Sequence, residues 1–202
     1  ESLHQEGGRS RFMLVIEGRR VAPVDLPVTG RHMVKNALLA AGCGWFLGME
    51  PEAIAAGLSA AQLTSGRLRR YDSGGVLVID DTYNANPESM AAAIETLAEI
   101  PLPSGAKRFV VLGPMGELGP FAPEAHLRVG RLAKDRGLEV VAVGAGAEGI
   151  VEGAGSRDFY PDRETAAAAL ADRIKAGDAV LFKASRSAAM EKVMQQAFPP
   201  TD

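Results

Sequence analysis

From Val76 onward the sequence alternates apolar runs of about five residues with longer stretches of helical spacing, and this rhythm limits the fold more than any other feature. The runs are Val76 to Asp80, Arg108 to Leu112, Glu139 to Val143 and Ala179 to Lys183, with a weaker one at Arg157 to Tyr160. The intervening periodicity predicts helices from Asn86 to about Glu99, Pro123 to Arg136, Glu148 to Gly153 and Arg163 to Ala176, and a last one from Ser187 to Ala197. Strands that are apolar on both faces need cover on both faces, so a parallel sheet between two helix layers follows. Right-handed crossovers make that sheet doubly wound. Ligands of such sheets sit beyond the carboxyl ends of the strands. The segments after Ile79, Leu112, Val143 and Phe182 are therefore where chemistry is expected.

The first third of the chain follows another plan. Arg11 to Glu17 and Arg20 to Leu26 read as a hairpin turning at Gly18-Arg19. Arg31 to Leu47 has helical spacing and stops at Gly48; Pro51 opens a second helix from Glu52 to Leu58. Glu1 to Gly8 carries no strand or capping signal and no initiator methionine, so the chain reads as a piece of a longer protein. Gln62 to Tyr71 is polar and basic, with Gly66 inside it, and a domain boundary is placed there, dividing residues 1–67 from 68–202. The expected fold class is α/β: a doubly wound, mostly parallel, Rossmann-like sheet preceded by a hairpin and a helix pair.

Composition narrows the partners. A formal net charge of −3 leaves no sign of a basic nucleic-acid face. The single cysteine, Cys43, excludes an internal disulfide, and its apolar helical setting predicts a small buried hydrophobe. No apolar run approaches the roughly 18 residues of a membrane span, and no basic-then-apolar leader opens the chain. A cytoplasmic location without a membrane partner is expected.

The segment Asp80-Asp81-Thr82-Tyr83-Asn84-Ala85-Asn86-Pro87 ends a strand and begins a helix. Asn86 before Pro87 is a good helix cap. Capping does not account for two acids, a phenol and a further amide at a ligand edge, where carboxylates can accept from ribose hydroxyls. Three other stretches complete an ordered set: G-R-H-M-V-K-N-A-L-L-A-A at 30–41, V-L-G-P-M-G-E-L-G at 111–119 and K-A-S-R-S-A-A-M-E at 183–191. Together the four resemble the Mur ligase family of ATP-dependent amide-forming ligases, in the branch that joins D-alanyl-D-alanine to UDP-N-acetylmuramoyl-tripeptide.

The resemblance implies that residues 1–67 are the tail of a central ATP-binding domain and 68–202 the C-terminal domain of a monomeric enzyme. It implies ATP and Mg2+ as cofactors. No G-x-x-x-x-G-K-[ST] occurs in the chain, so the P-loop and the metal ligands are expected outside it, and the piece alone is not expected to catalyse. Asn36 matches a position that reads adenine, Arg67 one that reaches the nucleotide, and Asp81 one that holds the ribose. Tyr83, Asn84 and Asn86 are expected to meet the second substrate or another domain. Lys183, Ser185 and Arg186 are expected to hold peptide carboxylates, and His126 to face substrate. His32 fits the family's helix start as a structural residue, with no metal role. Met33, Pro114 and Ala184 depart from the pattern, and Pro114 removes both a carboxylate and a backbone N–H.

Other readings stay open: another amide ligase of the superfamily, such as a folylpolyglutamate synthetase, or a binding or regulatory module without catalysis. A dinucleotide-binding loop is a third. Gly144-Ala145-Gly146-Ala147-Glu148-Gly149 has the form G-x-G-x-x-G after a strand, but it follows a third strand and would bring Glu148 near a pyrophosphate.

Overall fold

The computed structural model describes residues 1–6, 8–62 and 66–200, apart from the side chain of His32. It divides into two compact units, Glu1–Thr64 and Ser65–Asp202. None of the described helices is long and apolar enough to cross a membrane.

In the first unit three antiparallel strands, β1 (His4–Glu6), β2 (Arg9–Ile16) and β3 (Arg19–Leu26), lie in that order. Glu17 and Gly18 form the β2–β3 turn, at φ 48° and 76°. Two-residue turns that match strand twist need positive φ at both positions. The turn therefore falls one residue before the Gly18-Arg19 read from the sequence, and Arg19 pairs with Ile16. β1 gave no sequence signal because all three of its residues are exposed; backbone pairing to Arg9, Ser10 and Arg11 alone makes it a strand. Helices α1 (Arg31–Phe46) and α2 (Pro51–Ser59) cover one sheet face, with Phe12, Leu14 and Val24 packed among Val34, Ala37 and Ile54. The outer side of α1 is uncovered: Phe46 is 89% exposed. Cys43 lies exposed as well, contrary to the expected burial. The run from Leu38 to Leu47 is apolar all round, so period alone did not tell which side would be covered.

The second unit holds a six-stranded sheet. Its strands are β4 (Arg69–Ser73), β5 (Val76–Asp80), β6 (Arg108–Leu112), β7 (Glu139–Val143), β8 (Phe159–Tyr160) and β9 (Ala179–Lys183). Its helices are α3 (Pro87–Ala98), α4 (Ala122–Asp135), α5 (Glu148–Ala154), α6 (Arg163–Arg173) and α7 (Met190–Ala197). The strand order is β4-β5-β9-β6-β7-β8, with β4 antiparallel and the rest parallel. β4 lies in the stretch read as a polar boundary. Its Arg-Arg-Tyr-Asp-Ser sequence suits an edge strand, which needs no apolar alternation to pair.

From β5 the chain runs outward through β6, β7 and β8, then returns to insert β9 between β5 and β6. That return is the switch point where doubly wound sheets bind ligands. Helices α6 and α7 bury one face through Val78, Phe109, Val141, Val180 and Phe182. By the two-residue alternation of strands, Ile79, Val110, Leu112 and Leu181 point the other way, toward the layer of α3, α4 and α5. Each such buried aliphatic side chain contributes about 1.5–3 kcal/mol. α5 runs one residue past Gly153, where the sequence places its end. A Cβ there would lie 2.1 Å from the Leu127 carbonyl oxygen, and one at Gly130 would lie 1.9 Å from that of Ile150. These glycines let α4 and α5 touch backbone to backbone.

Candidate functional site

β5 and β9 run parallel in the register Asp80 opposite Phe182, so the next pair along is Asp81 and Lys183. Both point to the α3 side, because Val78 and Phe182 face α7 and side chains alternate. The ladder continues one step beyond β5, with the Asp81 N–H donating to the Phe182 carbonyl at 3.0 Å. Lys183 Nζ then donates to Asp81 Oδ2 at 2.6 Å and to the Asn84 carbonyl at 2.8 Å. Side-chain exposure is 4% for Lys183 and 13% for Asp81, so this is a buried ion pair at the sheet's edge. Burial pushes the Asp81 carboxyl above its ordinary range, against the pull of Lys183 and of the Leu68 N–H that donates to Oδ1 at 3.2 Å. Asp80, also buried, accepts from both the N–H and the hydroxyl of Thr82. Lys183 was expected to offer its charge to a peptide carboxylate. In this structure two of its three N–H groups and its charge are committed within the chain.

The segment following Asp81 holds the chain at Gly66 to Leu68. Tyr83 N–H donates to the Gly66 carbonyl at 2.9 Å, and the Arg67 guanidinium lies 4.3 Å from the centre of the Tyr83 ring. Among the described residues Arg67 has no carboxylate within 4.0 Å. Asn84 turns its side-chain oxygen onto the Ala85 N–H at 2.8 Å. Asn86 caps α3: its side-chain oxygen accepts from Ser89 N–H at 2.8 Å, and the Ser89 hydroxyl accepts from Asn86 N–H at 3.1 Å. Asn36 belongs to the first unit and is exposed on α1.

Past β6 and β9 the two loops go on pairing. Gly113 N–H donates to the Lys183 carbonyl, and Ser185 N–H to that of Pro114, each at 2.9 Å. Pro114 thus keeps its acceptor role despite lacking an N–H. The buried methyl of Ala184 would meet a Cβ at Gly113 at 2.7 Å, so residue 113 must be glycine here. His126, expected to face substrate, is 4% exposed and has a different task. Its Nε2 accepts from the Met115 N–H at 2.9 Å and its Nδ1 donates to the Ala122 carbonyl at 2.6 Å. Neither ring nitrogen is free for a substrate; the ring anchors the loop from Gly113 to Gly119. The sequence held the signal, since His126 shares the buried stripe of α4 with Val129, Gly130 and Ala133. Ser185 is buried, and Arg186 is exposed at the start of a short 3-10 turn, Arg186–Ala188.

A cavity of about 430 Å3 opens beside these loops, lined among others by Pro114, Gly144, Ala145, Arg163, Ser187 and Met190. Sequence reasoning did not pick out Arg163. It stands at the first position of α6, where a cation opposes the helix dipole. Its guanidinium donates to the Ala188 carbonyl at 3.5 Å, and no acid among the described residues pairs with it. The glycine loop on this rim is closed. Glu148 accepts from the Gly146 N–H at 2.8 Å, so the donor a pyrophosphate would need is committed to the loop's own carboxylate.

The sequence profile of the family described as Mur ligase, glutamate ligase domain, matches residues 66–186. The chain is similar to UDP-N-acetylmuramoyl-tripeptide–D-alanyl-D-alanine ligase of Synechocystis sp., with 35% identity over 194 residues, covering 91% of this chain and 40% of that protein. Its fold superposes on the crystal structure of MurF from Acinetobacter baumannii with a TM-score of 0.84 and 32% identity, covering 97% of this chain and 43% of that one. MurF ligase from Thermotoga maritima in complex with ADP gives a TM-score of 0.80 and 29% identity, covering 98% and 45%. The chain thus spans about 40% of the length of the curated relatives it matches.

Proposed function

The chain belongs to the Mur ligase family, and from that premise we propose that it forms part of the ligase that joins D-alanyl-D-alanine to UDP-N-acetylmuramoyl-tripeptide at the expense of ATP. The ligase that the Synechocystis relative is named as and the ADP bound by the Thermotoga one support this reading. The observation that carries it is the joined rim at the switch point, where Asp81, Lys183 and the Asn84 carbonyl tie the ends of two neighbouring strands together.

ATP supplies the phosphoryl group that turns the tripeptide's terminal carboxylate into an acyl phosphate. The dipeptide amine then attacks the carbonyl carbon, loses a proton, and phosphate departs. Such chemistry depends on positioning and charge neutralisation. Arg67 meets the nucleotide phosphates as a planar, permanently charged donor. Asp81 keeps lone pairs for ribose hydroxyls beyond those that Leu68 and Lys183 use. Asn36 reads the adenine edge. The cavity beside Pro114 receives the acceptor, with Ala145, Ala188 and Val193 as small apolar walls for two methyl groups and Arg163, between Asp162 and Glu164, for its carboxylate; Arg186 precedes Ser187 of the lining and adds a second cation. Among the described residues no three acidic, histidine or cysteine side chains are grouped to hold a metal ion, and in this reading the ligands of Mg2+ lie elsewhere in the ligase. The ligase is monomeric and cytoplasmic in this reading, and residues 1–67 and 68–202 are parts of its ATP-binding and C-terminal domains.

The test is phosphate release by the protein in the length its gene encodes, with ATP, UDP-N-acetylmuramoyl-tripeptide and D-alanyl-D-alanine. Release is expected only when all three are present, with a pentapeptide product. Release with a single amino acid in place of the dipeptide, and none with the dipeptide, contradicts the proposal.

A further inference from the structure

We propose that Tyr83 is a positioning residue for Arg67, holding its guanidinium for a phosphate-bearing ligand. The inference rests on the nucleotide reading above and goes beyond it in naming the side chain that holds the cation.

Two positive charges lie close to Asp81 in the chain's geometry, and they differ. Lys183 is buried, and its charge is balanced by Asp81 at 2.6 Å. Taking it out to a ligand would leave Asp81 unpaired in a desolvated place. Arg67 has no acidic partner among the described residues. It rests instead on the face of Tyr83, a residue that is 40% exposed. A ring face attracts a guanidinium without neutralising it, so the charge stays available to an anion.

The backbone around Arg67 is held as firmly as its side chain. Gly66 on one side has φ 78° and accepts from Tyr83 N–H; a Cβ there would fall 2.8 Å from that nitrogen. Leu68 on the other side is buried at φ 51°, a conformation that leucine rarely adopts. Its N–H donates to Asp81. Strained backbone of this kind persists only where neighbours over-determine it, and it gathers at ligand sites. Three contacts from Asp81 and Tyr83 thus hold residues 66 to 68, and one of them is the ring face against the Arg67 guanidinium. Arginine without such a platform would lose side-chain freedom on meeting its ligand.

The experiment compares Tyr83→Phe and Tyr83→Leu in the protein of encoded length. Tyr83→Phe keeps the ring and should keep the KM for ATP within about twofold. Tyr83→Leu should raise that KM about three- to tenfold with kcat nearly unchanged, since a cation–π contact of this kind is worth that much. Combined with Arg67→Ala, Tyr83→Leu should add nothing. An unchanged KM for ATP, additive losses, or a rise in the KM for the dipeptide instead would overturn the proposal. A second readout needs no ligation activity: the rate at which trypsin cuts after Arg67. Cutting should be faster in Tyr83→Leu than in wild type and in Tyr83→Phe, and equal rates in all three would overturn the positioning role. Failure of wild type to ligate, with the trypsin pattern as expected, would count against the ligase reading and leave the positioning role standing.

Discussion

Two places on one sheet edge carry what a sequence reader takes for nucleotide chemistry, and they are built in opposite ways. At the ends of β5 and β9, charged groups from distant parts of the chain meet: Asp81 and Lys183 are 102 residues apart in sequence. At the end of β7 a glycine loop satisfies itself, with Glu148 on the Gly146 N–H two residues away. The first arrangement orders a rim and leaves Arg67 beside it without an acidic partner among the described residues. The second has the form of a phosphate loop with its donor already taken. A motif indicates a site only where its groups remain uncommitted after folding, and that is decided by partners brought in from elsewhere.

The largest effect should come from breaking the ordered rim. Lys183→Met leaves Asp81 buried without its counter-charge and should cost about 3–5 kcal/mol of stability in urea unfolding. The double variant Asp81→Asn, Lys183→Met should recover much of it, because burying an ion pair is itself costly. No recovery would mean that the pair is more than a brace. Next in size, His126→Leu leaves the Met115 N–H buried and unpaired, at about 1–3 kcal/mol. Hydrogen exchange at Met115 should accelerate, while His126→Gln, which retains an acceptor, should lie between.

The pH dependence follows from burial. Asp81 is raised above its ordinary 3.8 in the folded chain. Between those two values the folded chain holds a proton that the unfolded chain has released. Its stabilising contribution is therefore complete below about pH 4 and is lost as pH rises through the raised value. Unfolding midpoints followed upward from about pH 4 should show that downward slope in wild type and lose it in the Asp81→Asn, Lys183→Met variant. The smallest effect belongs to the closed loop. Glu148→Ala should change stability by no more than about 0.5 kcal/mol. Binding of NADH by the wild type, with Glu148 in place on the Gly146 N–H, would erase the contrast between the two places.

The parallel core was legible because its physics is local. β6, β7 and β9 fall on the residues that the apolar runs marked, since strands buried on both faces must be apolar throughout. The polar strands β1 and β4 were not legible, because edge pairing uses backbone alone. Gly153 reads as a helix end and is a point of helix contact, which depends on the partner helix and not on α5. At the site, the sequence marked Asp81 and Lys183 as strand ends but could not say that they would bind each other. The parallel register that joins them is a property of two strands with most of the domain between them. The cavity beside Arg163 gave no sequence signal for the same reason: residues from four loops form it.

Titration of ADP into the protein of encoded length, as wild type and as Arg67→Ala, bears most directly on which groups of the rim remain uncommitted. Loss of a charge-assisted contact to phosphate should weaken ADP about tenfold or more. An unchanged Kd would contradict the claim that the free cation above the β5 and β9 ends meets the nucleotide.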